Sequence, residues 1–262
     1  MDIDWRKRIS VMPFFSQAVA ASKSVEAAGI VTDQLQWMVD PKTTGNLNDL
    51  VGSINGTLTN GAYIDAENSV ILDGVNDYVN FGNQTGTSAV GLYGLSNFTI
   101  CVWHYSLSQT SFPRIISKGS SAGDGWAFAH QEALRFWTNN STTYAPATYS
   151  MGWRLYGGAL YAGWLFDVIR VDLNDSTNYP RDVRFTSMNG TYNTISSLND
   201  IAADTNGNSI LIQNATHRFS VGGTTNGRYS NSKFGAAMIY HKTLTNAEIQ
   251  QNFNAMKSSY GL

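Results

Sequence analysis

Residues 69–79 read Ser69-Val70-Ile71-Leu72-Asp73-Gly74-Val75-Asn76-Asp77-Tyr78-Val79. Two short runs rich in β-branched residues flank Asp73-Gly74 and Asn76-Asp77. Gly and Asn tolerate positive φ, and Asp and Asn side chains hydrogen-bond nearby backbone amides. The stretch therefore predicts strand, turn, strand. In it Leu72, Val75 and Val79 fill a core, and the carboxylates of Asp73 and Asp77 cap turn amides.

The same alternation recurs on both sides. Leu35, Trp37 and Val39 alternate with Gln36 and Met38; Phe98, Ile100 and Val102 with Thr99, Cys101 and Trp103; Leu134 and Phe136 with Arg135 and Trp137. Each reads as a strand with at least one buried face. Turn clusters separate them: Asn55-Gly56, Asn60-Gly61, Ser117 to Gly125, Asn189-Gly190 and Asn206-Gly207. With 24 Gly and 24 Asn in 262 residues, a helical bundle is excluded. No helical crossovers interrupt the pattern, so an antiparallel sandwich is expected.

Both ends depart from period two. Phe14, Ala18, Val25 and Ala28 follow helical spacing and Gly29 stands at a C-cap position, which predicts a short N-terminal helix. Met1–Ala21 imitates a signal peptide, but Pro13, Ser16 and Gln17 weaken its apolar stretch, and the segment reads as part of the working protein. Trp5, Ile9, Met12, Phe14 and Phe15 make residues 1–33 a hydrophobic docking arm, seated on a partner or folded back onto its own domain. Near the other end, Thr245 and Glu248 form a capping box that opens a helix with Ile249, Phe253 and Met256 on one face, and Gly261 lies near its end.

Charge and cysteine content narrow the function. Seventeen Lys and Arg against 19 Asp and Glu give a net charge of −2, which offers no electrostatic footprint for nucleic acid. Cys101 is the single cysteine, so no intramolecular disulfide staples the chain. No run approaches the ~18 apolar residues of a membrane-spanning helix, and membrane insertion is not expected.

The 69–79 stretch closely resembles the F-D-G-x-x-D-Y-V unit of laminin-G-like jelly rolls in the concanavalin A-like lectin/glucanase superfamily. Other pieces follow in that family's order. They are Asn48-Asp49-Leu50 through Gly61, Phe98 to Trp103, Trp164 to Ile169, Met188-Asn189-Gly190, Phe219 to Gly223, Phe234 to Tyr240, and Leu244 through Asn254. The resemblance covers residues 34–262. It implies an all-β antiparallel jelly-roll sandwich, with residues 1–33 as a short N-terminal helical arm and a helix at the C-terminus. Calcium sites occur in such folds, and Asp73 with Asp77 are the candidate ligands, although a hard cation needs six to eight oxygens.

A catalytic site is not expected. Glycosidases place two carboxylates about 5–10 Å apart, and the resemblance implies an E-x-D-x-x-E or E-x-D-x-E strand. The four glutamates, Glu26, Glu67, Glu132 and Glu248, match neither, and the five-residue offset of Asp167 and Asp172 points them to opposite faces of a strand. His104, His130, His217 and His241 lack zinc-type spacing. Binding remains. An exposed Trp or Tyr covers the apolar face of a sugar while Asn and Asp bond its hydroxyls. Trp126, Trp137, Tyr144 and Trp153, near turn-rich segments, are the candidate carbohydrate-binding residues, although sandwich cores use the same residue types.

The resemblance extends to modules of phage and bacterial surface proteins. It implies a non-enzymatic virion structural protein: a capsid decoration, or a tail or host-surface-binding element. Such a protein is assembled in the host cytoplasm, exposed on the virion surface, and present as a homo-oligomer or in many copies. Its partners are capsid or tail proteins held through the arm, and cell-surface glycans. The alternative is a free carbohydrate-binding lectin.

Overall fold

The computed structural model describes residues 25–107, 113–119, 125–130, 134–139, 147–150, 163–172, 182–188, 212, 214–225 and 227–262. Its strands in chain order are β1 (Leu35–Val39), β2 (Thr57–Thr59), β3 (Tyr63–Ile64), β4 (Val70–Asp73), β5 (Tyr78–Gln84), β6 (Asn97–Ser106) and β7 (Ile116–Gly119). They continue with β8 (Gly125–His130), β9 (Leu134–Asn139), β10 (Ala147–Ser150), β11 (Leu165–Asp172), β12 (Asp182–Met188), β13 (His217–Val221) and β14 (Asn231–Tyr240). They form two seven-stranded sheets. The first runs β12-β11-β6-β14-β4-β3, with β1 also on β14; the second runs β10-β9-β8-β7-β13-β5-β2. Every pairing is antiparallel. The chain is an all-β sandwich.

The 69–79 stretch is a corner between the sheets. Its two strands do not pair with each other: β4 joins β14 in the first sheet and β5 joins β13 in the second. The turn carboxylates hold the corner. Asp73 Oδ1 accepts from Val75 N at 2.7 Å, and Asp77 accepts from Gly61 N at 2.7 Å and Asp73 N at 3.2 Å. Leu72 and Val79 are buried in the core as expected, but Val75 lies in the turn and is 71% exposed. The corner faces it outward, because the chain leaves one sheet at Asp73 and enters the other only at Tyr78.

Alternation along β6 divides two cores. Phe98, Ile100 and Val102 point between the sheets into a cluster with Phe81, Phe128, Phe136 and Phe219, while Cys101 and Trp103 point to the opposite face. Trp37 closes the inner cluster edge-on against Phe219, with ring centroids 4.8 Å apart. The first sheet is thus buried on both faces over part of its area, and each fully buried large side chain contributes about 1.5–3 kcal/mol.

The outer cover is made by helix α2 (Asn246–Met256) and the segment before β1, after a short helix α1 (Pro41–Thr44) has turned the chain. The capping box is formed in both directions, with Glu248 N donating to Thr245 Oγ1 at 3.2 Å and Thr245 N donating to Glu248 Oε2 at 2.8 Å. Ile249, Phe253 and Met256 lie buried against Trp103, Phe166 and Tyr240. A 3₁₀ turn, Lys257–Tyr260, ends at Gly261 with φ +73°. Residues 25–27 are helical, and Gly29 stops that helix with φ +82°. Val25, Ile30 and Val31 are buried in the same cluster, so the end of the expected arm belongs to the sandwich's cover. Asn252 ties the layers together: its Oδ1 accepts from Val31 N at 2.9 Å and its Nδ2 donates to Tyr240 Oη at 2.9 Å.

One irregularity matters for the surface. The pairing of β14 with β6 shifts between Phe234 and Ala236, a bulge at Gly235. Phe234 thereby stays in the inner core while Ala236 and Met238 enter the outer one. A Cβ on Gly235 would lie 2.4 Å from Tyr260 Cε1. Glycine at the bulge lets Tyr260 lie flat on Trp103, 4.0 Å between centroids at 7°.

Candidate functional site

Among the described residues the cover ends at Tyr260, and beyond it the outer face of the first sheet carries one rank of side chains across its strands. Tyr63 of β3 stands opposite Ile71 of β4, Ile71 opposite Lys233 of β14, and Lys233 opposite Tyr105 of β6. Directly opposed residues share a face. Trp164, just before β11, continues the rank with its ring edge-on to Tyr105, centroids 6.0 Å apart. Five elements at about 4.8 Å spacing give a row roughly 19 Å long. Tyr63 is 53% exposed, and Ile71, Tyr105 and Trp164 are half-buried.

The row is braced from below and edged by charge. Trp164 rests on Tyr260 at 4.8 Å and 63°, and Lys42 of α1 places its ammonium 5.5 Å from the Trp164 ring centroid. Lys42 Nζ also donates to Glu67 O at 2.8 Å and Ser69 Oγ at 3.2 Å. Lys233 Nζ lies 3.6 Å from Asp65 Oδ2. Aromatic faces beside a carboxylate and an ammonium suit a ligand with apolar C–H faces and a hydroxyl edge.

Two other features stand among the described residues. A cavity of about 350 Å³ beneath α2 is lined by Val25, Ile30, Met38, Leu50 and Met256, with Asp40 as its carboxyl group. That carboxylate is already the N-cap of α1, accepting from Thr43 N at 3.2 Å, and burial raises its pKa. On the second sheet, Arg218 stacks its guanidinium 3.9 Å above Tyr78 and donates to Thr224 O, pinning the 222–230 loop to the sheet. Tyr229, on that loop, stacks on Tyr78 with centroids 6.3 Å apart.

The sequence candidates fare differently. Trp126 is a core residue, 1% exposed, with Nε1 donating to Val90 O at 3.0 Å, and it presents no face to a ligand. The sequence placed it only near a turn-rich segment; it lies in β8, in register with Lys118 and Thr138, and packs in the inner core. Trp137 occupies a register position opposite Ala127 and Thr148. Tyr144, Trp153 and the arm residues Trp5, Ile9, Met12, Phe14 and Phe15 lie outside the described residues.

Asp73 and Asp77 serve as caps of the corner turn. Both Asp77 oxygens and one oxygen of Asp73 are taken by backbone amides. Among the described residues no three His, Cys, Asp or Glu side chains gather as a metal would require.

The carboxylates beside the row are Asp65 and Glu67, each next to a lysine. Asp167 and Asp172 lie on opposite faces of β11, as their spacing predicts, Asp167 in register with core residue Val102 and Asp172 with Asn97. Asp167 instead meets His104 Nε2 at 2.6 Å, both fully buried between the sheets. Cys101 is fully buried, and burial pushes its thiol well above its ordinary range.

The architecture defines a class: the antiparallel two-sheet sandwich. No protein-family model matches the sequence, and no curated protein does. Solved structures share the fold. Domain 4 of AbnA, a GH43 extracellular arabinanase from Geobacillus stearothermophilus in complex with arabinotriose, superposes with a TM-score of 0.54 at 12% identity, over 87% of this chain and 98% of that one. The binding domain of botulinum neurotoxin DC in complex with SialylT gives 0.57 at 15% identity, over 86% of this chain and 52% of that one. Trypanosoma rangeli sialidase in complex with sialic acid gives 0.62 at 11% identity, over 95% of this chain and 40% of that one. The chain spans about half or less of the length of the latter two. At these identities the likeness is one of fold.

Proposed function

We propose that the protein is a lectin-like module that binds carbohydrate on the row Tyr63–Ile71–Lys233–Tyr105–Trp164 and performs no catalysis. The observation that carries this reading is the row itself: partly exposed aromatic rings aligned over about 19 Å with a carboxylate and an ammonium at their edge. The fold shared with a domain bearing arabinotriose supports it.

The test is a glycan array followed by calorimetry on the wild type, Tyr63→Ala and Trp164→Ala. Loss of a stacking ring is expected to weaken binding about tenfold or more, about 1.4 kcal/mol. Tyr63 is exposed enough that its truncation leaves the melting temperature unchanged. An array without specific binding, or binding indifferent to both substitutions, overturns the reading.

Attachment to a capsid or tail through residues 1–33, in many copies at a virion surface, is a separate part of the proposal and rests on the sequence alone. Removing residues 1–24 is expected to leave a folded sandwich that no longer joins particles. Undiminished incorporation refutes that part.

A further inference from the structure

We infer that the row selects neutral oligosaccharides, reading a pair of adjacent hydroxyls with Asp65 and Lys233 and turning away sialylated and other anionic chains. The inference rests on the carbohydrate reading above and names its ligand class.

Asp65 is held in place by its own turn. Its Oδ1 accepts from Glu67 N at 2.9 Å and Ser69 N at 2.8 Å, while Asp65 N donates to Ser69 O at 2.9 Å. The carboxylate cannot swing, and its second oxygen is left toward Lys233. The separation of 3.6 Å is longer than the 2.7–2.9 Å of a charge-assisted hydrogen bond, so the pair is not closed. Both side chains keep solvent access, 28% for Lys233 and 18% for Asp65. A preorganised acceptor beside a donor with unused hydrogens fits a diol, one hydroxyl donating to Asp65 Oδ2 and its neighbour accepting from Lys233 Nζ. The rings of Tyr63 on one side and Tyr105 on the other carry the sugar's apolar faces.

Charge decides which sugars enter. Among the described residues, the charged groups along the row are Lys42, Lys233, Asp65 and Glu67. Each cation has an anion beside it: Lys233 has Asp65 at 3.6 Å and Lys42 has Glu67 at 3.7 Å. Lys42, only 9% exposed at its side chain, is further engaged by Glu67 O and Ser69 Oγ. A sugar carboxylate needs an uncompensated cation. Here it would meet Asp65 or Glu67 instead, and juxtaposed like charges penalise the wrong ligand.

The experiment compares neutral oligosaccharides with their terminally sialylated counterparts, on an array and then by calorimetry, for the wild type, Tyr63→Ala and Asp65→Asn. Asparagine keeps an oxygen for the amides of Glu67 and Ser69, so the turn survives while the charge goes; melting temperatures check this. The wild type is expected to favour the neutral member of a pair about tenfold or more. Asp65→Asn is expected to weaken neutral binding and erase most of that preference. Binding that depends on Tyr63 yet treats both members alike, or an undiminished preference in Asp65→Asn, overturns this inference and leaves the carbohydrate reading standing. Absence of any Tyr63-dependent binding overturns both.

Discussion

Gly235→Ala tests the packing on which the row depends. The new methyl would sit 2.4 Å from Tyr260 Cε1, 2.6 Å from its hydroxyl and 2.9 Å from Cζ. Tyr260 cannot slide away, because it is stacked on Trp103 at 4.0 Å and abutted by Trp164 at 4.8 Å. Overpacking of this kind costs about 1–3 kcal/mol, or roughly 2–4 °C of melting temperature per kcal/mol in a chain of this size. Tyr260→Ala alone removes a buried aromatic and is expected to cost about 3 kcal/mol. The two changes do not add. With the ring gone the methyl meets no clash, so the double variant should match Tyr260→Ala, a coupling of about 2 kcal/mol.

Equilibrium urea unfolding followed by tryptophan fluorescence measures all four corners of this cycle. Tyr260→Phe is a control. The hydroxyl has no hydrogen-bond partner among the described residues, and deleting it should be neutral or slightly stabilising. Because Tyr260 braces Trp164, Gly235→Ala should also weaken binding at the row. Additive losses, or a Gly235→Ala variant as stable as the wild type, would refute the wedge formed by Tyr260 over the bulge.

Three further outcomes are expected. Thr245→Ala removes the side-chain half of the capping box and should lower stability by about 1 kcal/mol in the same urea assay, leaving glycan affinity unchanged. Burial pulls Lys118 from 10.5 down to about 8 while its Nζ donates to Ala215 O at 2.7 Å. Above that value the folded chain has released a proton that the unfolded chain still holds, so stability rises as pH climbs from about 8 toward 10.5. Lys118→Met should flatten that rise in melting curves taken across the interval. Calcium and a chelator should both leave the melting temperature unchanged; a calcium-dependent increase abolished by Asp73→Asn would restore the ion to the corner.

Much of the fold was legible because its signals are local. Alternation marked β1, β6 and β9, the Thr245–Glu248 pair marked the start of α2, and Gly29 and Gly261 marked helix ends that do take positive φ. Asp73 and Asp77 were legible as caps for the same reason, since their amide partners lie within a few residues or in the adjoining turn. The site was far less legible. Trp126 was singled out and proved to be core. Trp164, Tyr105 and Tyr63 were not singled out, although Trp164 stood within one of the motifs. The available signal was modest: an aromatic at the mouth of a strand whose neighbours, Trp103 and Phe166, are themselves apolar on the same face.

By itself the sequence determined the strands, the corner at 73–77, the C-terminal helix, and a composition that excludes a helical bundle. Each follows from interactions between residues near in the chain. Only the tertiary structure decided that β4 and β5 enter different sheets, and that the outer face of the first sheet is covered as far as Tyr260 by α2 and the segment before β1. It alone brought Tyr63, Ile71, Lys233, Tyr105 and Trp164 into one rank. A row that runs across strands is set by register. Register is fixed by long-range pairing and by one bulge at Gly235, which no local pattern encodes.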